Sequence, residues 1–165
     1  MSHAMKLERT IGAKPAAVFA VLCDLEQARK WMPGIESIDD EPKGALAVGS
    51  AWIEHRKDPK GREFVSTISV TQLDAPTALS LHVSHKILDM DLHFTLAPDG
   101  AGTKVNYAAS LKMKPLMFFM GGMVAKQMRE VDGDLLDRLA AHIEKGTAKP
   151  ARPATAMKST KSSKK

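Results

Sequence analysis

Cysteine and aromatic residues are scarce in this chain. Of 165 residues one is cysteine (Cys23), one is tyrosine (Tyr107), two are tryptophan and five are phenylalanine. A lone thiol excludes an intrachain disulfide framework and a cysteine-based zinc cluster. No stretch approaches the ~20 uninterrupted apolar residues of a membrane-spanning helix. The opening residues, Met1 to Met5, lack the apolar centre of a secretory signal. No phosphate-binding glycine loop is evident, because Gly100 and Gly102 belong to a hairpin-turn signal. The expectation is therefore a reduced, cytoplasmic protein without a cofactor. What is present, 44% hydrophobic residues, is enough for one ordinary globular core.

The formal charge of +5 is unevenly placed. Residues 146–165 hold six cations and no acid, whereas residues 1–145 hold 18 cations and all 19 acids, a net of −1. The last twenty residues, rich in Lys, Ala, Pro, Ser and Thr, have too little apolar surface to offset the entropy of ordering. The expected organisation is a disordered start over 1–5, one domain over 6–145, and a disordered basic tail over 146–165. That tail suits weak contact with anionic surfaces through counterion release. No motif or aromatic-basic interleaving points to specific nucleic-acid binding.

Within the domain, Lys6 to Ala13 alternates as a short strand. Pro15 stands at a favoured first helical position, and Val18, Phe19, Val21, Leu22 and Leu25 recur at helical spacing. The helix so marked ends at Trp31-Met32-Pro33-Gly34. Turn signals at residues 42–44, 58–61, 74–76 and 98–102 then divide the chain into short strands, as in an antiparallel meander. Beyond Pro115 the period changes. Met117, Met120, Val124, Met128, Val131, Leu135, Leu139 and Ile143 form one face of a long helix, weakened by Gly121, Gly122 and Gly133. A sheet with one apolar face needs a cover, and only the long helix is large enough. The fold class is α+β, a helix grip in which a curved antiparallel sheet wraps around a C-terminal helix.

This order resembles the START-like superfamily (SRPBCC). The likeness is carried by residues 11–19 (IGAKPAAVF), Asp24-Leu25, residues 31–35 (WMPGI), Val48-Gly49 and residues 102–105 (GTKV), and it covers about residues 5–145. The branch it resembles most is the polyketide cyclase/dehydrase and lipid-transport family. The Pro33-Gly34 pair and the Gly121-Gly122 helix start also resemble the carbon monoxide dehydrogenase accessory-subunit branch. Lys14 stands where family members often carry a small capping residue. The resemblance implies a deep apolar ligand cavity between sheet and C-terminal helix. The superfamily also hosts carriers, cyclases, hydrolases and chaperone-ATPase activators, so fold alone does not select a function.

Turn positions suggest a register: Arg56 opposite Glu63, Ile68 opposite Val83, Val83 opposite Leu92 and Leu92 opposite Tyr107. The apolar face of the sheet then includes Ile53, Phe64, Ile68, Leu81, Val83, Met90, Leu92 and Phe94. It also carries His55, Ser66, Gln72, His85 and Tyr107. Polar tips among apolar neighbours suit orientation of a polar group on an apolar ligand. His55, Ser66, His85 and Tyr107 are thus candidate ligand-binding residues. Bonding to one another, to backbone or to water is the alternative. Met117 and Met120 join them, since flexible methionines suit an adaptable cavity mouth; plain core of an amphipathic helix is the ordinary alternative.

No metal site is expected. His82 and His93 are placed opposite each other on the outer face, but a third ligand is missing. Ser66 beside His85 is the one candidate nucleophile pair, without a nucleophile elbow or an orienting carboxylate. Catalytic residues are not assigned. The reading is a protein that binds a hydrophobic small molecule or lipid. The alternatives are a polyketide cyclase/dehydratase using His85 with His55 or Tyr107, and an accessory or interaction subunit.

Overall fold

The computed structural model describes residues 3–148. The chain runs β1 (His3–Ile11), α1 (Pro15–Leu22), α2 (Leu25–Trp31), β2 (Ile35–Asp39), β3 (Ala51–Lys57), β4 (Glu63–Asp74), β5 (Ala78–Ser84), β6 (Leu88–Asp99) and β7 (Gly102–Met113). A 3-10 turn (Pro115–Met120), α3 (Gly121–Asp132) and α4 (Leu135–Ala148) follow. The seven strands make one antiparallel sheet in the order β1-β7-β6-β5-β4-β3-β2. The helix-grip expectation therefore holds. Two boundaries differ from the sequence reading. Strand β1 begins at His3 and buries Met5, so residues 3–5 are ordered by pairing with β7. Helix α4 continues to Ala148, and residues 149–165 of the expected tail lie outside the described residues.

The helix expected from Pro15 to Trp31 is two helices. Pro15 starts α1 behind Lys14, which makes no side-chain cap. Asp24 starts α2, its carboxylate accepting from the backbone of Glu26 and Gln27. Gln27 Nε2 closes back on the same carboxylate at 3.1 Å. This Asp24 N-cap, braced by the Gln27 amide, breaks a pattern that apolar spacing alone carries through. The long C-terminal helix is likewise divided. At Gly133 a Cβ would collide with the Arg129 carbonyl oxygen, so only glycine fits the turn between α3 and α4.

The core joins the concave face of the sheet to α1 and α4 through Ile11, Val18, Leu79, Val105, Leu136 and Leu139, all essentially buried. Helix α4 packs on β1 and α2. Thr103, fully buried, donates its hydroxyl to the Ala13 carbonyl at 2.7 Å and ties β7 to the end of β1.

Register decides which side chains meet in the interior. Ile68 pairs with Val83, as expected. Strands β5–β6 and β6–β7 are each two residues from the expected register: Leu81 meets Leu92, and Phe94 meets Tyr107. A two-residue offset leaves every side chain on its expected face. The β3–β4 hairpin differs by one residue, with Arg56 opposite Phe64 and Lys57 opposite Glu63. Its five-residue loop is built on Asp58, whose carboxylate accepts from the backbone of Lys60 and Arg62, each at 2.9 Å. A one-residue change reverses a whole strand. Trp52, Glu54 and Arg56 therefore face inward, and Ile53 and His55 face outward. The irregularity between Val70 and Gln72 also turns Gln72 to the surface, where it bonds Asp74 and Ser80.

Candidate functional site

A cavity of about 320 Å³ lies between the concave sheet face and the helices α2, α3 and the start of α4. Its walls are mainly apolar: Leu79, Leu81, Val83, Met90, Leu92 and Phe94 from the sheet, with Trp31, Met123, Val124, Met128 and Leu135 from the helices. Its volume lies at the lower end of the range for small-molecule pockets. A larger depression of about 670 Å³ crosses the α3–α4 break, lined by Lys57, Arg129, Glu130, Asp134 and Arg138 among others. It is more open and bordered by charges, several of them already paired. The interior cavity is the better ligand site.

A polar cluster interrupts the apolar wall. Glu54, 4% exposed, forms an ion pair and hydrogen bond with Arg56. Arg56 also reaches Met32 Sδ at 3.4 Å. Burial alone would lower the Arg56 pKa, but the Glu54 charge and hydrogen bond, assisted by Asp132 and Tyr107, outweigh it and raise the pKa. Tyr107 is buried, and burial, reinforced by Asp132 and opposed by Arg56, pushes its phenol above its ordinary value. The phenol is thus a protonated donor. Asp132 lies 3.4 Å from Arg138. Around the cavity wall the carboxylates of Glu54, Asp58 and Asp132 are matched in number by the cations of Arg56, Lys57 and Arg62. Such a balance fits an uncharged hydroxyl or carbonyl, since a further unpaired charge here would carry a large desolvation cost.

Of the expected candidates, Ser66, His85, Tyr107 and Met120 lie on the cavity wall. His55 does not line the cavity. The β3 register turns it outward, where its Nε2 is 2.8 Å from Asp39. Met117, in the 3-10 turn, is also absent from the cavity wall. His85 and Tyr107 line different parts of the cavity. His85 sits beside Leu88, whereas Tyr107 pairs with Phe94, six residues or about 20 Å of strand further along β6. His85 packs against the Phe64 ring at 5.6 Å, and burial with the nearby charges of Lys86 and Lys114 depresses its pKa. It is not hydrogen-bonded to Ser66, so the expected nucleophile pair is not assembled. Burial lifts the Cys23 thiol to about 11, which leaves it protonated. His82 and His93 are not opposite each other: His82 meets Asp91 at 2.8 Å and His93 meets Ser80 at 2.8 Å.

The residues that sequence reasoning missed are Trp52, Glu54 and Arg56, all displaced by the β3 register, and Asp132 on α3. The inward placement of Glu54 and Arg56 beside Trp52 had a signal in the sequence: the alternation Trp52, Glu54, Arg56 is as regular as Ala51, Ile53, His55. Both indole N–H groups, on Trp31 and Trp52, are buried without a hydrogen-bond partner, and both residues line the cavity.

Structural relatives share this architecture. A START superfamily protein from Mycobacterium smegmatis has a TM-score of 0.70 at 16% identity, covering 86% of this chain and 97% of its own. A Thermus thermophilus protein gives 0.70 at 18% identity with the same coverage. A Nitrosomonas europaea protein gives 0.66 at 16% identity, covering 87% of this chain and 96% of its own. At these identities the likeness concerns the fold. No curated protein matches the chain in sequence. The family model for polyketide cyclase / dehydrase and lipid transport matches residues 2–144. With the START-like fold around an apolar cavity, that match over most of the sequence places this chain in the polyketide cyclase / dehydrase and lipid transport family.

Proposed function

We propose that this protein binds a hydrophobic small molecule or lipid in the cavity between its sheet and helices, with an uncharged polar group of the ligand against Arg56 and Tyr107. The observation that carries the reading is an apolar cavity of about 320 Å³ whose wall carries acids and cations in equal number, the Glu54–Arg56 ion pair among them. Apolar walls supply affinity, and a few fixed donors supply orientation. Arg56 and the neutral phenol of Tyr107 are the donors suited to a carbonyl or hydroxyl oxygen. Ser66, His85 and Met120 complete the proposed ligand-contacting set.

The test is to purify the protein from its native host, denature it, and analyse the extract by mass spectrometry. A stoichiometric apolar compound carrying an oxygen function supports the reading. A stoichiometric compound that is strongly charged or wholly polar contradicts it.

A second reading, a cyclase or dehydratase in the same cavity, is favoured by one observation: His85 lines the cavity and its pKa is depressed. A neutral imidazole there has the form of a general base. Turnover of the extracted ligand by wild type, abolished in His85→Gln with binding retained, would support that activity.

A further inference from the structure

The segment that enters α3 exposes large apolar side chains next to the cavity. Leu116 is 88% exposed, Phe118 75%, Phe119 72% and Met123 58%. Phe118 and Phe119 meet edge to face at 6.2 Å, and Leu116, Phe119 and Met123 recur at three- and four-residue spacing. Scattered exposed apolar residues are ordinary, but four within eight positions form a patch that calls for a partner. The same patch is continuous with the proposed binding site, because Met120 and Met123 line the cavity.

Charge identifies the partner. Residues 111–127 contain Lys112, Lys114 and Lys126 and no acid. Lys86 is exposed in the β5–β6 turn, which touches this segment through the Lys114 backbone N–H donated to the Ile87 carbonyl at 3.0 Å. Among these cations, Lys114 lies 3.7 Å from Asp89 and Lys126 lies 4.0 Å from Glu130; Lys86 and Lys112 remain exposed. Apolar side chains flanked by lysines match an anionic bilayer, in which rings and aliphatic chains enter the acyl boundary and ammonium groups meet the headgroups. We infer that the 3-10 turn and the start of α3 form a docking surface for an anionic lipid membrane, inserting Leu116, Phe118, Phe119 and Met123. Docking in this orientation sets the Met120–Met123 side of the cavity against the bilayer. The inference concerns the surface and does not require the cavity to be occupied.

The test is flotation of the full-length chain with vesicles of phosphatidylcholine alone and of phosphatidylcholine mixed with phosphatidylglycerol. Wild type, Phe118→Ser/Phe119→Ser and Lys112→Gln/Lys126→Gln are compared at low and high salt. These residues are exposed, so far-UV circular dichroism and thermal melting are expected to be unchanged. Wild type should float with the mixed vesicles. The phenylalanine variant should partition about tenfold or more weakly at both salt concentrations. The lysine variant should lose several-fold at low salt and little at high salt, where screening already operates. Equal flotation of the phenylalanine variant and wild type would overturn the inference by assigning binding to the cations of residues 146–165. Absence of flotation would also overturn it. So would concentration-dependent self-association, by sedimentation, that the phenylalanine variant abolishes, since a second copy would then cover the patch.

Discussion

Replacing Arg56 by Met tests whether the polar cluster of the cavity wall is a buried ion pair in energetic terms. The substitution keeps a long apolar stem and removes the guanidinium that Glu54 bonds. Breaking a buried pair by deleting one partner costs about 3–5 kcal/mol, because the remaining charge stays desolvated. Glu54 meets that condition with a side chain 5% exposed, whereas the Arg56 side chain is 31% exposed. Water reaches one end of the pair, so the expected loss is at the low end, about 3 kcal/mol. Adding Glu54→Gln removes the stranded charge, and the double variant should return to within about 1 kcal/mol of wild type. Urea denaturation followed by circular dichroism measures both, with the slope against denaturant unchanged if the denatured states match. A loss below about 1 kcal/mol for Arg56→Met would refute the reasoning, as would a double variant as unstable as the sum of the singles.

Three further outcomes are expected. Tyr107→Phe removes a hydroxyl but keeps the ring that packs on Phe94 at 4.8 Å; calorimetry should show ligand affinity falling about fivefold to tenfold with little change in stability. His85 has a folded-state pKa below its ordinary 6.5, so the unfolded chain binds the extra proton first. The stability from keeping His85 neutral is then fully present above about pH 6.5 and is lost as pH falls toward the folded value. Thermal melts from pH 8 to 5 should decline less steeply in His85→Gln, and parallel curves would contradict the assignment. Gly102→Ala would put a Cβ 2.5 Å from the Ile11 carbonyl oxygen where β7 begins. Backbone cannot yield as a side-chain tip does, so the melting temperature should drop by roughly 3–10 °C, and an unchanged value would contradict the close approach.

Much of the architecture was legible because period and punctuation are strong signals. The change from alternating strands to a three- and four-residue spacing beyond Pro115 separates sheet from helix, and turn residues mark four of the hairpin or loop positions. The site was less legible because it depends on register. In β5, β6 and β7 an offset of two residues still leaves Leu81, Val83, His85, Leu92 and Tyr107 on the inner face. In β3 a single extra step around Asp58 exchanges His55 for Glu54 and Arg56. Composition favours the mistaken choice, since a buried Glu and Arg look wrong until their pairing is known. The proximity of Asp132 to the cluster follows from the packing of α3 across the sheet, which no local pattern encodes.

The central claim, that this cavity holds an apolar ligand, is tested most directly with an environment-sensitive apolar fluorophore and a variant that fills the cavity. Ser66 lines the cavity and is only partly buried, so Ser66→Phe should occupy ligand volume while the sheet still folds, as circular dichroism would verify. The account predicts saturable binding to wild type at one probe per chain, with a change in the fluorescence of Trp31 and Trp52. It predicts that binding weakens about tenfold or more in Ser66→Phe. Saturable binding that is equally strong in the filled variant would place the probe elsewhere and contradict the claim, as would no saturable binding to wild type at all.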